Sequence, residues 1–481
     1  MIDFKDYPSL ERVMKFFLQI SEIPRESGNR EPIARYLKSF ADERGLWCSV
    51  DGEHNVIIKK PATAGYGSAP TVILQGHTDM VLAENGECPH DPRVAGVMVY
   101  RDGDLLRAVG TTLGGDDGVA LAYALAILDG DAECHPEIEA LFTSDEEIGL
   151  LGAAGLDASE LCGRMLINID SDIEGIFTVG CAGGVRCDIR LPLDKCECRG
   201  REYTVRLDGL LGGHSGMEID KGRENAIKLI AEAAAEVVKS TGALVSDIRG
   251  GCADNAIAAS ASVSLVSESD LTAEIDFAFT ALCDKYRPRE SGIAYSVSVG
   301  EAHGALSAES AAALLSLIGE VRSGVIKMSE EIKGLPETSE NLGILTVADG
   351  AATLSLSVRS AKGSEKALAV AALRALADKY GATVDEHGAY PAWEYRSDSP
   401  LCELMCRVYE EEYGKSPEVV TIHAGLECGV ISEKIEGLDC VSIGPDNFDI
   451  HTTEERLSLS SVSRVYEYLK KLLRAAGELK R

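Results

Sequence analysis

The sequence lacks any apolar stretch long enough to cross a bilayer. Its longest apolar runs, such as Gly118–Leu128, fall short of the roughly 18 residues that a spanning helix needs. Cysteine is sparse, with 14 among 481 residues and no Cys-x-x-Cys pair, which argues against a disulfide scaffold and a structural zinc site. Met1–Asp6 is acidic and no small-residue cleavage site follows it. We therefore expect no secretory signal and a cytoplasmic protein.

Basic residues are also few relative to acidic ones. The chain has 47 basic against 78 acidic side chains and a formal net charge of −31. Such a chain repels phosphate backbones and anionic lipid surfaces, so we expect neither a nucleic-acid nor a membrane partner. Its 45% hydrophobic and 26% charged residues are typical of a globular protein, and its length suggests two or three domains. A small molecule is the favoured partner.

The hydrophobic pattern predicts two kinds of sheet. Short apolar runs at both ends of the chain alternate with helical patterns, which is typical of a mainly parallel α/β sheet; they are 71–75, 138–143, 165–169, 418–421 and 440–443. Between them, segments such as Val185–Leu191 and Thr353–Val358 alternate apolar and polar residues, as antiparallel strands with one wet face do. We predict an α/β domain made of residues 1–183 and 392–481, with an α+β domain, 184–391, inserted in it.

Four apolar runs are followed directly by side chains of the kind that bind metals. The candidates are His77, Asp79, Asp116, Glu146, Glu147 and Asp170, and the later segment Ser442–His451 adds a second histidine, His451. In open α/β sheets, ligands bind outside the carboxyl ends of the strands. If these strands are parallel neighbours, all of these side chains converge at one edge of the sheet.

So many carboxylates at an apolar edge would repel one another unless cations neutralised them. Two histidines with several carboxylates suit Zn²⁺, Mn²⁺ or Co²⁺ better than Mg²⁺ or Ca²⁺. Asp79 is near enough in sequence to accept the second ring N–H of His77, and adjacent Glu146 and Glu147 allow one to bind metal while the other moves protons. Each motif alone fits a turn, a helix start or a loop histidine, and only their conjunction favours a metal site.

These residues resemble the M20 metallopeptidase family, and within it the cytosolic aminoacyl-histidine dipeptidases. The resemblance rests on stretches that run nearly end to end: Ile20–Arg25, Gln75–Val81, Gly110–Gly118, Thr143–Gly149, Leu166–Asp170, Gly180–Gly184, Gly212–Gly216, His423–Gly429 and Ser442–Pro445 with His451. Gly115 and Asp117 depart from the alanine and asparagine expected beside Asp116. The resemblance implies that 1–183 with 392–481 forms the catalytic domain and that 184–391, which is matched less well, is a lid or dimerisation domain.

The resemblance implies a role for each candidate. Asp116 bridges two divalent metal ions, most simply Zn²⁺ with Co²⁺ or Mn²⁺ as alternatives. One ion is held by His77 and Asp170, and the other by Glu147 and His451. Glu146 is the general base and Asp79 supports His77. The candidate substrate-binding residues are His214, Arg359, Asn255 and Gly425, where His214 acts within its own chain or across a dimer.

The leading hypothesis is a metal-dependent dipeptidase that hydrolyses dipeptides with free ends, including Xaa-His, and forms a homodimer. Within the same family, a tripeptidase or an N-acyl amino-acid deacylase is the alternative. Outside catalysis, the alternative is a metabolite-binding protein that keeps the fold. The intact Glu146 counts against that last alternative, because a chain that only binds has no need of a base.

Overall fold

The structure is a computed structural model that describes residues 2–330, 332 and 334–479. The chain separates into two compact units. Unit 1 comprises Met1–Gly180, Tyr395–Thr421 and Leu426–Arg481, and unit 2 comprises Cys181–Glu394 and Ile422–Gly425. The predicted outer boundaries at residues 1 and 481 lie outside the described residues. The assignment of 184–391 as a lid or dimerisation domain stays a prediction.

Unit 1 alternates helices with strands. Its helices are α1 (Glu11–Ser21), α2 (Glu31–Glu43), α3 (Pro92–Ala95), α4 (Gly115–Ala126), α5 (Leu151–Gly155), α10 (Pro400–Tyr413), α11 (Glu427–Lys434) and α12 (Leu459–Ala475). Its strands are β1 (Trp47–Val50), β2 (Val56–Lys60), β3 (Val72–His77), β4 (Val99–Asp102), β5 (Leu105–Ala108), β6 (Ile138–Thr143), β7 (Met165–Asn168), β8 (Ile176–Cys181), β22 (Glu418–Ile422), β23 (Asp439–Ser442), β24 (Asn447–Phe448) and β25 (Arg456–Ser458).

The described part of unit 1 contains an eight-stranded sheet in the order β1-β2-β6-β3-β7-β23-β8-β22. Its centre is parallel, since β3 pairs in parallel with β6 and β7, and β7 pairs in parallel with β23. Strands β3 and β6 are buried along their full length, as the continuous apolar runs of a covered parallel sheet require. The predicted mainly parallel sheet is confirmed, and the carboxyl ends of its central strands share one edge.

A close approach of α4 to β3 depends on Gly76. A Cβ atom at this position would overlap the side chains of Asp117 and Ala120. Helix α4 is buried on nearly every side, and Asp117 Oδ2 accepts a hydrogen bond from the backbone N–H of His77 at 3.1 Å. Glycine at 76 therefore lets the helix that follows Asp116 lie directly against the strand that ends at His77.

Unit 2 is built on an antiparallel sheet. Its strands are β9 (Gly183–Pro192), β10 (Lys195–Cys196), β11 (Arg201–Asp208), β12 (Gly213–His214), β13 (Leu244–Gly250), β14 (Ala256–Ile257), β15 (Ala261–Ser267), β16 (Ala294–Glu301), β17 (Ala305–Leu306), β18 (Gly324–Met328), β19 (Pro336–Ala348), β20 (Ala351–Ser360) and β21 (Thr383–Tyr390). Its helices are α6 (Ala226–Thr241), α7 (Thr272–Tyr286), α8 (Ala308–Glu320) and α9 (Gly363–Lys379).

The main sheet of unit 2 runs β16-β11-β15-β13-β19-β20-β9-β21, with β18 beside β19. Buried side chains from the four helices and the inward faces of these strands form one core. The alternating patterns in 185–191 and 353–358 lie in β9 and β20, which pair antiparallel. The predicted antiparallel strands of this region are therefore confirmed.

Two predicted elements differ from the structure. The helical hydrophobic pattern of residues 308–325 predicts one helix, but α8 ends at Glu320 and Gly324–Met328 is a strand. The helix stops because Val321 is extended and Gly324 has a φ of +123°, and the β-branched residues that follow favour a strand. Strand β22 was expected to be buried, but it is partly exposed.

None of the helices in the described part of the chain has both the length and the apolar character needed to span a membrane.

We predict that Gly76→Ala lowers the free energy of unfolding by about 1–3 kcal/mol, because the added methyl overpacks the contact between β3 and α4. Urea denaturation monitored by circular dichroism measures this change. Gly67→Ala is the matched control, since a Cβ at this glycine meets no atom within 4 Å. Equal stability of the two variants would contradict the close approach at Gly76.

Candidate metal centre

His77 ends β3 and lies at the centre of the cluster. Its side chain is 1% exposed, and its Nε2 atom lies 2.8 Å from Asp116 Oδ1 and 3.6 Å from Asp170 Oδ1. Asp116 comes at the start of α4, and Asp170 follows the end of β7, which is a direct neighbour of β3. The parallel register thus brings three chain segments to one point.

The carboxylate of Asp116 faces both histidines. Its Oδ1 is the oxygen near His77, while its Oδ2 lies 3.2 Å from His451 Nε2. The same His451 nitrogen is 2.8 Å from Glu147 Oε1. Asp116 therefore belongs to two neighbouring groups of donor atoms, one with His77 and Asp170 and the other with Glu147 and His451.

Glu146 and Glu147 lie on the loop after β6. Together with His77 they form a third group, and within each group the donor atoms are all within 4.8 Å of one another. Asp79 holds this loop, because its Oδ1 accepts the backbone N–H of Glu146 at 3.0 Å and its Oδ2 accepts that of Glu147 at 3.4 Å. Ser27 donates a further hydrogen bond to Asp79 Oδ2 at 2.8 Å.

The relation of Asp79 to His77 differs from the simple hydrogen bond that we expected. Asp79 Oδ1 lies 3.4 Å from His77 Nδ1. Among the described residues, that buried nitrogen has no partner with hydrogen-bond geometry. Asp79 is nonetheless close enough to act electrostatically on the ring, and its backbone-directed hydrogen bonds fix the position of Glu146.

The electrostatics of the cluster favour cations. Hydrogen bonds with Asp116 and Glu147 raise the pKa of His451 to about 10. Burial raises the pKa of Glu146 well above its usual range, with Asp170 and Glu147 adding to the effect. Burial also raises the pKa of Asp170. Crowded, buried carboxylates hold protons more tightly, and histidine and carboxylate donors of this kind can hold transition-metal ions instead.

Two further side chains hold the loop that carries Asp116. The carboxylate of Glu455, 2% exposed, accepts four successive backbone N–H groups, which belong to Leu113, Gly114, Gly115 and Asp116 at 2.7–3.3 Å. The buried guanidinium of Arg25 donates to the carbonyl oxygens of Thr78, Asp79 and Gly114. Together they tie the Asp116 loop to the end of β3.

The candidate substrate-binding residues belong to unit 2. His214 Nδ1 accepts the backbone N–H groups of Gly216 and Met217 at 3.2 and 3.0 Å. Burial and the charge of Arg359 lower the pKa of His214. The ring is therefore neutral near pH 7 with its proton on Nε2, which leaves that N–H available as a donor.

Arg359 lies on β20, and its Nη1 donates to the hydroxyl of Tyr390 at 2.8 Å. The ring of Tyr390 approaches Gly425 so closely that a Cβ there would lie 2.7 Å from a ring carbon. Asn255 is exposed, and its carbonyl oxygen accepts the backbone N–H of Ser215 beside His214. The described contacts thus connect Arg359 with Gly425 through Tyr390, and Asn255 with the His214 turn.

Sequence reasoning did not single out Arg25, Glu455 or Tyr390 by role. Arg25 stands in a family-like stretch, but no spacing links it to Gly114. Glu455 is one of two adjacent glutamates close after His451, and only the fold distinguishes the buried one from its exposed neighbour Glu454. Arg25 and Glu455 bind backbone groups far away in sequence, and Tyr390 binds a side chain 31 residues away, which a motif search does not reveal.

Buried His423 makes the stability of unit 2 depend on pH. Burial, aided by the charge of Arg359, lowers its pKa to about 4, and its Nε2 lies 2.7 Å from Ser339 Oγ. Below about pH 6.5, His423 binds a proton in the unfolded chain but stays neutral in the folded chain until the pH approaches 4. Stability is therefore full above pH 6.5 and falls as the pH drops toward 4, by up to about 3 kcal/mol.

We predict that His423→Gln removes this part of the acid destabilisation. Urea unfolding of wild type and variant at several pH values between 7 and 4 measures it. An identical pH dependence in the two proteins would contradict the assignment to His423.

Comparison with known proteins places these observations in a family. The family model described as Peptidase family M20/M25/M40 matches residues 73–475. The cytosol non-specific dipeptidase of Escherichia coli (strain K12) is 35% identical over 465 residues, which cover 95% of this chain and 96% of that protein.

Solved structures agree. The aminoacylhistidine dipeptidase of Vibrio alginolyticus is 33% identical, with a TM-score of 0.88 and 96% of each chain covered. A tripeptidase of Staphylococcus aureus subsp. aureus Mu50 is 16% identical with a TM-score of 0.59, covering 98% of this chain and 99% of that one, and it shows the common fold alone. The family match spans most of the chain, from the strand that ends at His77 to α12. The chain belongs to peptidase family M20/M25/M40.

Proposed function

We propose that this protein is a metal-dependent dipeptidase that hydrolyses the peptide bond of dipeptides with free ends, including Xaa-His dipeptides. The observation that carries the proposal is the placement of Asp116, whose two oxygens each face a different histidine within 3.2 Å. A carboxylate shared in this way suits two adjacent cations. The names of the E. coli and Vibrio relatives, both dipeptidases at 33–35% identity over nearly the whole chain, support the substrate class.

The two donor groups suggest how the ions are held. When bound, one ion would be held by His77 and Asp170 and the other by Glu147 and His451, with Asp116 shared between the two donor groups. This assignment uses the two groups that share Asp116. The mixture of imidazole and carboxylate donors fits Zn²⁺, with Co²⁺ and Mn²⁺ as alternatives.

Two divalent ions in such a site polarise the scissile carbonyl and lower the pKa of water. Glu146 is the general base, which accepts the proton of the attacking water and then donates it to the departing amine. Its loop is held for this purpose by Asp79, through the hydrogen bonds to the N–H groups of Glu146 and Glu147. Asp79 also lies beside His77 and favours its orientation.

The substrate contacts remain predictions for unit 2. His214, with its proton on Nε2, donates to the oxygen on which negative charge develops. Arg359, held by Tyr390, binds the free carboxylate of the dipeptide through its planar fork. Asn255 and the backbone of Gly425 are further contacts. The homodimer and the cytoplasmic location also stay predictions.

We predict that Glu146→Gln lowers kcat for dipeptide hydrolysis by about 10²–10⁴-fold, because the general base is lost while the ligands remain. Steady-state assays measure the rate, and elemental analysis measures the metal content, which should stay near that of the wild type. Glu133→Gln, at an exposed glutamate, is the control and should retain full activity. Undiminished hydrolysis by Glu146→Gln would overturn the assignment of the base.

Removal of metal should abolish turnover. We expect dialysis against a chelator to reduce dipeptide hydrolysis to below about 1% of its initial rate, since carbonyl polarisation and water activation both require the ions, and added Zn²⁺, Mn²⁺ or Co²⁺ to restore it. Asp116→Ala should bind neither ion stably.

Parallel assays with tripeptides and N-acyl amino acids identify the substrate class, and faster turnover of either would contradict a dipeptidase.

A further inference from the structure

A chain of buried polar side chains crosses the parallel sheet just beneath the candidate ligands. It contains Gln75 on β3, Asn168 on β7 and Thr143 at the end of β6. These strands are direct neighbours, with Gln75 opposite Asn168 and His77 opposite Thr143. All three polar side chains are 0–1% exposed. Strands of a parallel sheet that is covered on both faces ordinarily have apolar residues at such buried positions.

The acceptor that joins these side chains is Glu427, the first residue of α11. Its Oε2 accepts hydrogen bonds from Gln75 Nε2 and from Thr143 Oγ1, both at 2.6 Å. The other end of the Gln75 amide, Oε1, accepts from Asn168 Nδ2 at 2.6 Å. One fully buried side chain from a distant part of the sequence thus connects three adjacent strands.

Each of these anchors lies shortly before a candidate functional residue. Gln75 is two residues before His77, Asn168 is two before Asp170, and Thr143 is three before Glu146. Because side chains two apart on a strand share a face, Gln75 and His77 point to the same side of β3. The anchors therefore lie close to the strand ends that carry the candidate ligands.

Stability alone does not account for a glutamate at this position. Glu427 Oε1 and Asn168 Oδ1 are buried and have no hydrogen-bond partner among the described residues. A buried polar group without a partner costs free energy, and well-packed apolar residues often stabilise such a position as well or better. What the network adds is geometry, since hydrogen bonds of 2.6 Å are short and directional.

We propose that Glu427 is a positioning residue for the metal site: by binding Gln75 and Thr143, and Asn168 through Gln75, it fixes the lateral spacing of β6, β3 and β7 and so the separation of His77, Asp170 and Glu146. This inference rests on the proposed function, because it concerns the same ligands. Glu427 belongs to none of the three donor groups.

The test titrates Co²⁺ into the metal-free full-length protein, because the visible absorption of bound Co²⁺ reports the geometry of its ligands. We expect Glu427→Ala to shift the absorption bands and to weaken Co²⁺ binding at least tenfold. Glu427→Gln keeps an oxygen that can accept from Gln75 and Thr143, and it should restore the wild-type bands. Wild-type bands and affinity in Glu427→Ala, or no rescue by Glu427→Gln, would overturn the proposal.

Glu139→Ala is the matched control for loss of a buried carboxylate in the same sheet. Glu139 is 0% exposed at the opposite end of β6, where it accepts the backbone N–H groups of Cys162 and Gly163. Its removal should lower thermal stability but leave the Co²⁺ bands unchanged. Shifted bands in this control would mean that any weakening of the sheet disturbs the site, which also overturns a specific role for Glu427.

Thr143→Val provides a second route if Glu427→Ala does not fold. Valine keeps the shape of threonine but cannot donate to Glu427, so we expect a smaller band shift in the same direction, and wild-type bands would contradict the proposal.

Dipeptide assays of the wild-type Co²⁺ protein test the proposed function separately from the role of Glu427. Absence of hydrolysis there would refute the proposed function, whereas the absorption bands alone decide the role of Glu427.

Discussion

The mutual repulsion of carboxylates at one edge of a parallel sheet is the constraint on which the rest of this structure depends. Asp116, Glu147 and Asp170 lie around His77 and His451 in groups whose donor atoms are within 4.8 Å, and Asp116 is shared between two of them. Negative groups gathered this closely in a buried setting require compensating positive charge.

The supports belong to three systems. Glu455 and Arg25 hold the Asp116 loop through its backbone, and Asp79 holds the loop of Glu146 and Glu147. Glu427 ties the strands below. Each system uses a buried ionisable side chain on polar groups, so the candidate ligands are positioned by directional hydrogen bonds as well as by apolar packing.

Family membership and the local geometry support the same chemistry from independent directions. The family match covers residues 73–475 and the E. coli relative aligns over 95% of this chain, whereas the donor groups follow from distances within unit 1. In unit 2, the hydroxyl of Tyr390 holds Arg359. The turn that contains His214 leaves the Nε2–H of its ring available as a donor. Unit 1 therefore contains the candidate metal donors, and unit 2 contains the candidate substrate contacts.

The sequence by itself determined the strands of the parallel sheet and the residues that follow them, because continuous apolar runs and the ligands at their ends are local features. It was wrong at the end of α8, where the predicted helix over 308–325 ran past Glu320 into the residues of β18. Only the tertiary structure decided that Asp116 faces two histidines, that Glu455 rather than Glu454 is buried, and that Glu427 lies under His77. These relations join residues up to 352 positions apart, and no local pattern encodes a contact that arises only when distant strands and loops pack together.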